Sequence, residues 1–162
     1  MTIAGPGGVP RTTSVDLIAP MAEFSPRGAS RVASTDGNLA TVYVCITCRR
    51  AGEPEAEPRP GALLADATAR AAQDSGVAVR RVRCLANCAR GPSAAVRANG
   101  GNHSWAYIFG GLDPDAAHAL IEGARLLAGA PDGIMPWRGR PEPLKRGLIA
   151  RVPPLDFLED QA

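Results

Sequence analysis

Four cysteines are the side chains of this sequence whose type and spacing most directly suggest chemistry. Cys45 and Cys48 form a C-x2-C pair, and Cys84 and Cys88 form a C-x3-C pair further along the chain. Each pair is close enough in sequence to chelate one metal ion or one cluster, and a C-x2-C pair can also work as a redox dithiol. In a reducing compartment, cysteines spaced in this way are more often metal ligands or redox groups than structural disulfides.

The predicted elements around the cysteines bring the two pairs to one place. Residues 41–44 are β-branched and aromatic and predict a strand that runs directly into Cys45. Residues 77–83 predict a second strand that delivers Cys84, and the apolar spacing of 62–73 predicts a helix between the strands. Such a β-α-β unit makes its strands parallel, with a right-handed crossover. We therefore expect both pairs at the carboxyl end of one sheet, where neighbouring strands form a single site.

The following part of the chain predicts two more strands and a second helix. Residues 93–97 and 103–109 predict strands joined by a turn at 99–102, since Asn and Gly tolerate the positive φ of tight turns. Asp113 and Pro114 then suit the N-cap and the first turn of an amphipathic helix. The resulting β-α-β-β-β-α order predicts the α/β class with a mixed, four-stranded sheet.

Composition divides the chain into three segments. Residues 1–38 are rich in Gly, Pro, Ser and Thr and predict a disordered or weakly structured leader. Residues 39–130 carry the predicted elements and are expected to form the metal-binding domain. Residues 131–162 contain repeated prolines and predict an extended tail packed on that domain, with Trp137 as one of its anchors. The same tryptophan offers a contact surface for a homodimer.

Two pairs of thiolates suit either a tetrathiolate zinc ion or an iron-sulfur cluster. A zinc ribbon usually places each C-x2-C pair on a tight turn, with the two turns facing each other. Here the second pair is C-x3-C and a helical crossover joins the pairs, which favours a [2Fe-2S] cluster whose two irons need ligands further apart. Zinc stays an alternative. A metal-free dithiol at Cys45 and Cys48 is another, because a C-x2-C pair after a strand is typical of thioredoxin-type active sites.

Arginines surround the cysteines in sequence: Arg49, Arg50, Arg80, Arg81, Arg83 and Arg90. An anionic cluster gains a further negative charge on reduction, so nearby guanidinium groups would stabilise its reduced form. They would also steer a redox partner protein that carries an acidic docking surface. A solvated basic rim without a role explains the same residues equally well. No aromatic residues are interleaved with these arginines, so nucleic-acid binding is not expected.

Other features exclude whole classes of function. The net charge of +2 is too small to indicate a nucleic-acid partner. No apolar run is long enough to span a bilayer, and the first thirty residues lack the apolar core of a secretory signal, so we expect a cytoplasmic protein that binds no membrane. His103 and His118 lie far in sequence from the cysteines and are expected to have packing or surface roles. A helix start explains Asp113 and Asp115, and no Ser-His-acid arrangement is visible, so no enzyme activity is predicted.

The second cysteine loop and its surroundings resemble a known family. The sequence CLANCARGP at 84–92, followed by a strand of small residues, resembles the second ligand loop of thioredoxin-like [2Fe-2S] ferredoxins. Over about residues 41–154 the chain is most similar to a bacterial family of small predicted metal-binding proteins. The features that carry this similarity are VCITCR at 44–49, RCLANC at 83–88, WAYIFG at 105–110, PWR at 136–138 and ARVPP at 150–154.

The resemblance implies a thioredoxin-like fold and a cluster bound by Cys45, Cys48, Cys84 and Cys88. It also implies a one-electron carrier that serves an oxidoreductase, and an association with cobalamin biosynthesis. The sequence departs from the ferredoxin pattern at the first pair, because in those ferredoxins a much wider loop separates the first two ligands. Zinc or dithiol chemistry would use the same close spacing. A zinc-binding interaction module held by the four cysteines, or a metal-handling protein without redox activity, is therefore the alternative function.

Overall fold

The computed structural model describes residues 1–2, 37–50, 52–100, 103–155 and 157. The predicted leader, 1–38, lies almost wholly outside the described residues. The elements given below all belong to the unit Ala33–Ala162. The division into leader, domain and tail stays a prediction.

The centre of the fold is one mixed sheet of five strands. Its strands are β1 (Ala40–Cys45), β2 (Val77–Val82), β3 (Ala94–Ala98), β4 (Ala106–Phe109) and β5 (Leu148–Val152). Their order across the sheet is β2-β1-β3-β4-β5. β1 pairs with β2 in parallel, and the other three pairings are antiparallel. The α/β class, the mixed sheet and the β-α-β-β-β-α order of the first six elements are confirmed, whereas the predicted number of four strands is wrong.

The fifth strand comes from the segment 131–162, for which the sequence predicts an extended tail. That segment contains a short helix, α3 (Glu142–Arg146), and then β5, which pairs with the outer edge of β4. β5 is half-buried at its first two residues and exposed at the other three. A strand at a sheet edge with so little buried surface has no clear alternation of apolar and polar residues, so periodicity does not reveal it.

Two helices cover one face of the sheet. They are α1 (Pro60–Ala71) and α2 (Ala117–Ala128), which contact each other and both contact β1. Val42, Val96 and Tyr107 lie in register across three neighbouring strands and are buried on this face. Leu64 of α1 and Leu120 of α2 complete the core and are fully buried. None of the helices in the described segments has the length and apolar character that crossing a bilayer requires.

Asp113 is expected to stabilise the start of the second helix. A 3-10 turn, Pro114–Ala116, precedes α2, and Asp113 Oδ1 accepts the Ala116 N–H at 3.2 Å. Replacing Asp113 by alanine should lower the free energy of unfolding by about 1 kcal/mol, because the first turn loses its cap. Asp113→Asn keeps an acceptor oxygen and should cost much less. Urea unfolding measures both, and equal losses in the two variants would rule out the capping role.

Candidate metal centre

The two cysteine loops begin at the same end of the sheet, where the parallel strands β1 and β2 both finish. β1 ends at Cys45, which is in register with Val82 at the end of β2. Cys84 follows two residues after Val82. The Cys45 thiol donates to the backbone carbonyl of Arg83, with 3.5 Å between Sγ and oxygen. The parallel, neighbouring strands expected from the β-α-β pattern are therefore present, and they bring the start of the second loop against the first cysteine.

The first pair lies in the interior, under the beginning of α1. Cys45 is 2% exposed and Cys48 is 4% exposed. The N–H of Gly61, in the first turn of α1, donates to the Cys48 carbonyl at 3.1 Å. Thr47 Oγ1 donates to the Arg83 carbonyl. The loop of the first pair is thus fixed between the helix on one side and the end of β2 on the other.

The second pair lies on the surface. Cys84 and Cys88 are both exposed. Cys84 Sγ accepts the Ala86 N–H at 3.2 Å, and Ala86 has a φ of 55°, in the left-handed region that residues with side chains rarely adopt. Cys88 begins a short 3-10 turn that ends at Arg90. The backbone between the two cysteines therefore curls so that an amide points at the first sulfur.

The end of the second loop packs against the first pair. A Cβ added at Gly91 would lie 3.3 Å from Cys48 Sγ and 2.6 Å from the Arg49 carbonyl oxygen. Asn87 Nδ2 donates to Ser93 Oγ at 2.9 Å, which ties the middle of the loop to its end. Glycine is required at 91 because a side chain there would collide with the first loop. The two cysteine loops are consequently packed together along one sheet edge.

The buried pair has opposite pKa shifts in the metal-free protein. Burial alone would raise the pKa of Cys45, but hydrogen bonds from Thr47 and Cys48, and from the N–H groups of Thr47 and Leu85, outweigh it and lower that pKa below 9.0. Burial, the hydrogen bond to Cys45 and the negative charge of Cys45 raise the pKa of Cys48 to about 11. Cys45 therefore loses its proton more readily than Cys48, and the Cys48 thiol donates a hydrogen bond to the Cys45 sulfur.

These shifts predict different alkylation profiles. In metal-free protein carrying Cys84→Ser and Cys88→Ser, Cys45 should react with iodoacetamide at a lower pH than Cys48, because the thiolate is the nucleophile. In chains whose Cys45 is still unmodified, Cys48 should stay largely unmodified until the pH approaches about 11, because Cys45 contributes to the raised pKa of Cys48. Tandem mass spectrometry of the peptide that contains both residues, after short exposure at each pH, measures the two extents. The two thiols are almost equally buried, so identical pH profiles would show that the pair is not polarised.

The four thiols are not gathered into one tetrahedral group. All four cysteines are free. Within the described segments, no three Cys, His, Asp or Glu side chains are gathered closely enough to hold one metal ion. All four donors are soft sulfur, which suits iron-sulfur clusters and zinc, and N–H groups of Ala86 and Leu85 are directed at sulfur as they are around bound clusters. The donor chemistry therefore fits a cluster held by one pair from each loop.

The arginines around the site are partly neutralised. Arg49 pairs with Glu55 at 2.5 Å, and Arg50 pairs with Glu53 at 3.9 Å. Arg81 pairs with Asp66. In the sequence, the acidic segment 53–57 indicates only a loop, so this role was missed. Alternating glutamates close to a run of arginines were the signal that could have revealed it.

Positive charge remains at the second loop. Within the described residues, Arg83 forms no ion pair, and Arg90 donates to the carbonyl of Arg146 at 3.5 Å without contacting a carboxylate. Both side chains are exposed. The surface around Cys84 and Cys88 is therefore the basic part of this edge, and the surface above the buried pair is closer to neutral.

Solved structures with a similar backbone include a thioredoxin-like [2Fe-2S] ferredoxin from Aquifex aeolicus. It has a TM-score of 0.46 and 20% identity, and the similarity covers 74% of this chain and 99% of that chain. A structure of the wild-type thioredoxin-like [2Fe-2S] ferredoxin from the same organism has a TM-score of 0.42 and 18% identity, covering 70% of this chain and 98% of that chain. A comparison with curated proteins found no match.

The family of the chain is established by sequence. Residues 42–154 match the family described as "Protein of unknown function (DUF1636)". The matched stretch begins within β1 and ends just beyond β5, so it includes both cysteine loops, most of β1 and the whole of the other four strands. It also covers well over half of the 162 residues. The chain belongs to the DUF1636 family.

Proposed function

We propose that this protein binds a [2Fe-2S] cluster through Cys45, Cys48, Cys84 and Cys88 and carries one electron to an oxidoreductase. The observation that carries the proposal is the packing of two cysteine loops along one sheet edge, one pair buried and one exposed. Two pairs of thiolates in separate loops match a centre with two irons, each of which takes two protein ligands. The proposal includes no enzymatic step by the chain itself.

The residues around the sulfurs support electron transfer. Such a cluster, when bound, takes up and releases one electron. The amides of Ala86 and Leu85 and the exposed guanidinium groups of Arg83 and Arg90 stabilise negative charge at the sulfurs, which favours the reduced state. The exposed position of Cys84 and Cys88 places one side of the site at the surface, where a partner can approach it.

The charge at this surface suggests the kind of partner. Arg83 and Arg90 would attract a redox protein with an acidic docking surface, and nothing in the proposal calls for nucleic acid or membrane. Trp137 is 62% exposed and is available for a homodimer contact. The family resemblance suggests a place in cobalamin metabolism, and the free cysteines suit the cytoplasm.

A dithiol function is the second candidate, because the buried pair has the polarity of a redox dithiol. The pKa of Cys45 is lowered and that of Cys48 is raised, as in a pair with one attacking and one resolving thiol. Against this, neither side chain is more than 4% exposed, so a protein disulfide could not reach either sulfur without local opening. The dithiol also gives no role to Cys84 and Cys88.

Anaerobic purification followed by metal and sulfide analysis tests the proposal. We expect a brown protein with about two irons and two sulfides per chain, whose visible absorption is bleached by dithionite and restored on reoxidation. A colourless protein with one zinc would overturn it in favour of a zinc-binding interaction module or a metal-handling protein. A metal-free protein whose two buried thiols form a reversible disulfide would favour the dithiol function instead.

A further inference from the structure

A buried arginine lies in the wall of a large groove that shares no residue with the cysteine loops. The groove has a volume of about 1230 Å³ and runs between α2 and the segment that leads from α2 to β5. Arg140 lines it and is 6% exposed. Trp137, from the PWR sequence to which the metal centre gives no role, lines it as well. A charged side chain this deep in a groove requires an explanation.

Arg140 lacks a counter-ion within the described residues. Its Nη2 donates to the Met135 carbonyl, and its guanidinium carbon lies 5.4 Å from the centre of the Tyr107 ring and 5.3 Å from that of Trp137. It forms no ion pair in that part of the chain, and its Nε is buried without a hydrogen-bond partner there. The charge thus contacts two aromatic rings while one of its donors has no hydrogen-bond partner within the described residues.

This arrangement of Arg140 suits the binding of an oxyanion in the groove. A buried guanidinium is costly unless it is paired, and cation–π contacts offset only part of that cost. The planar fork of arginine binds carboxylate and phosphate through parallel hydrogen bonds, and Nε is one of the donors used. Contacts with the two rings and the hydrogen bond to the Met135 carbonyl hold the guanidinium group in place before a partner binds.

We propose that the groove binds a small organic anion whose carboxylate or phosphate group pairs with Arg140. Apolar side chains, among them Ile121, Leu126 and Ile134, line the same groove and can contact the rest of such a molecule. The acidic side chains of the lining are Asp74, Glu122 and Asp132. Arg125 and Arg151 also line the groove, so the acidic side chains outnumber the basic ones other than Arg140 by one. This small excess of negative charge disfavours a doubly charged phosphate more than a singly charged carboxylate, so a carboxylate is the preferred group. The inference is independent of the metal centre.

NMR detection of the arginine Nε–H group tests the proposal on the intact protein. Benzoate and phenyl phosphate serve as probes, at constant ionic strength, and benzyl alcohol serves as the uncharged control. The Nε–H resonance of Arg140 should shift in a saturable way with benzoate, less with phenyl phosphate, and not with benzyl alcohol. If phenyl phosphate bound more tightly than benzoate, the oxyanion site would be supported, and its ligand would be a phosphate compound instead of a carboxylate.

Two variants show whether the arginine fork is responsible. Arg140→Lys keeps the charge but loses the fork together with the Nε–H probe, so isothermal titration calorimetry measures benzoate binding in this variant and in the wild type. The variant should bind benzoate about tenfold or more weakly. Arg138→Lys is the matched control, because Arg138 is exposed and does not line the groove, and it should bind benzoate as the wild type does. Equal affinity in Arg140→Lys and the wild type would overturn the proposal. A wild-type Nε–H shift that does not saturate as benzoate is added would also overturn the proposal. This second measurement uses the wild type alone and does not depend on a variant folding.

Discussion

Replacement of Cys84 by serine should abolish the iron-sulfur absorption or shift it strongly, while leaving the fold almost as stable as before. The change removes one thiolate from the proposed donor set and puts a much weaker ligand for iron in its place. Cys84 is exposed, and its sulfur accepts a hydrogen bond that a serine oxygen can also accept. The free energy of unfolding of the metal-free protein should therefore change by no more than about 0.5 kcal/mol.

The measurement combines iron content, the visible spectrum and urea unfolding of the metal-free protein. Ala89→Ser is the matched control, since Ala89 lies exposed in the same loop and its replacement adds a hydroxyl without removing a sulfur. This control should keep full iron content and an unaltered spectrum. If Cys84→Ser also kept both, Cys84 would not be a ligand, and the assignment of the second pair would fail even if iron were present.

Alanine at Gly61 should destabilise the protein more than any of the other substitutions. A Cβ at this position would lie 2.1 Å from the Cys45 carbonyl oxygen and 3.1 Å from Cys48 Cβ. Neither neighbour is the far end of a flexible side chain, so the first turn of α1 and the first cysteine loop must move apart. We expect a loss of about 2–3 kcal/mol in the free energy of unfolding of the metal-free protein.

Gly129→Ala is the control for that experiment. Gly129 follows α2, has an ordinary helical φ of −86°, and a Cβ there would meet its nearest neighbour at 3.5 Å. Its replacement should change stability by no more than about 0.5 kcal/mol. Urea unfolding of both metal-free variants gives the comparison. A Gly61→Ala protein as stable as the control would show that the helix does not press on the cysteine loop.

The positions of the cysteines could be predicted because local pattern and topology agree there. The β-branched residues of 41–44 and the apolar helix that follows predict a β-α-β unit. Its two strands run parallel, so Cys45 and Cys84 follow strands that finish at the same end of the sheet. The topology did not predict how deeply each cysteine side chain is buried. That Cys45 and Cys48 are buried while Cys88 is exposed depends on how the second loop folds back, and no periodicity encodes that.

The features missed by sequence reasoning depend on long-range packing. β5 is an edge strand with little buried surface, and its partner lies far away in the chain. Arg140 is an arginine in a proline-rich segment, where the ordinary expectation is an exposed side chain. Its burial depends on packing against Tyr107 of β4 and Trp137 of the returning segment. Such a contact joins residues that are far apart in the sequence, so the pattern of neighbouring residues does not predict it.

The pairing of β5 with β4 determines where this protein can be cut. A chain that stopped at the end of α2 would leave β4 with a free row of backbone donors and acceptors, and it would lose Leu144, which is fully buried against Gly123. Such an exposed edge recruits strands from other molecules. A truncated version is thus an aggregation hazard, and the shortest autonomous form must extend through Val152.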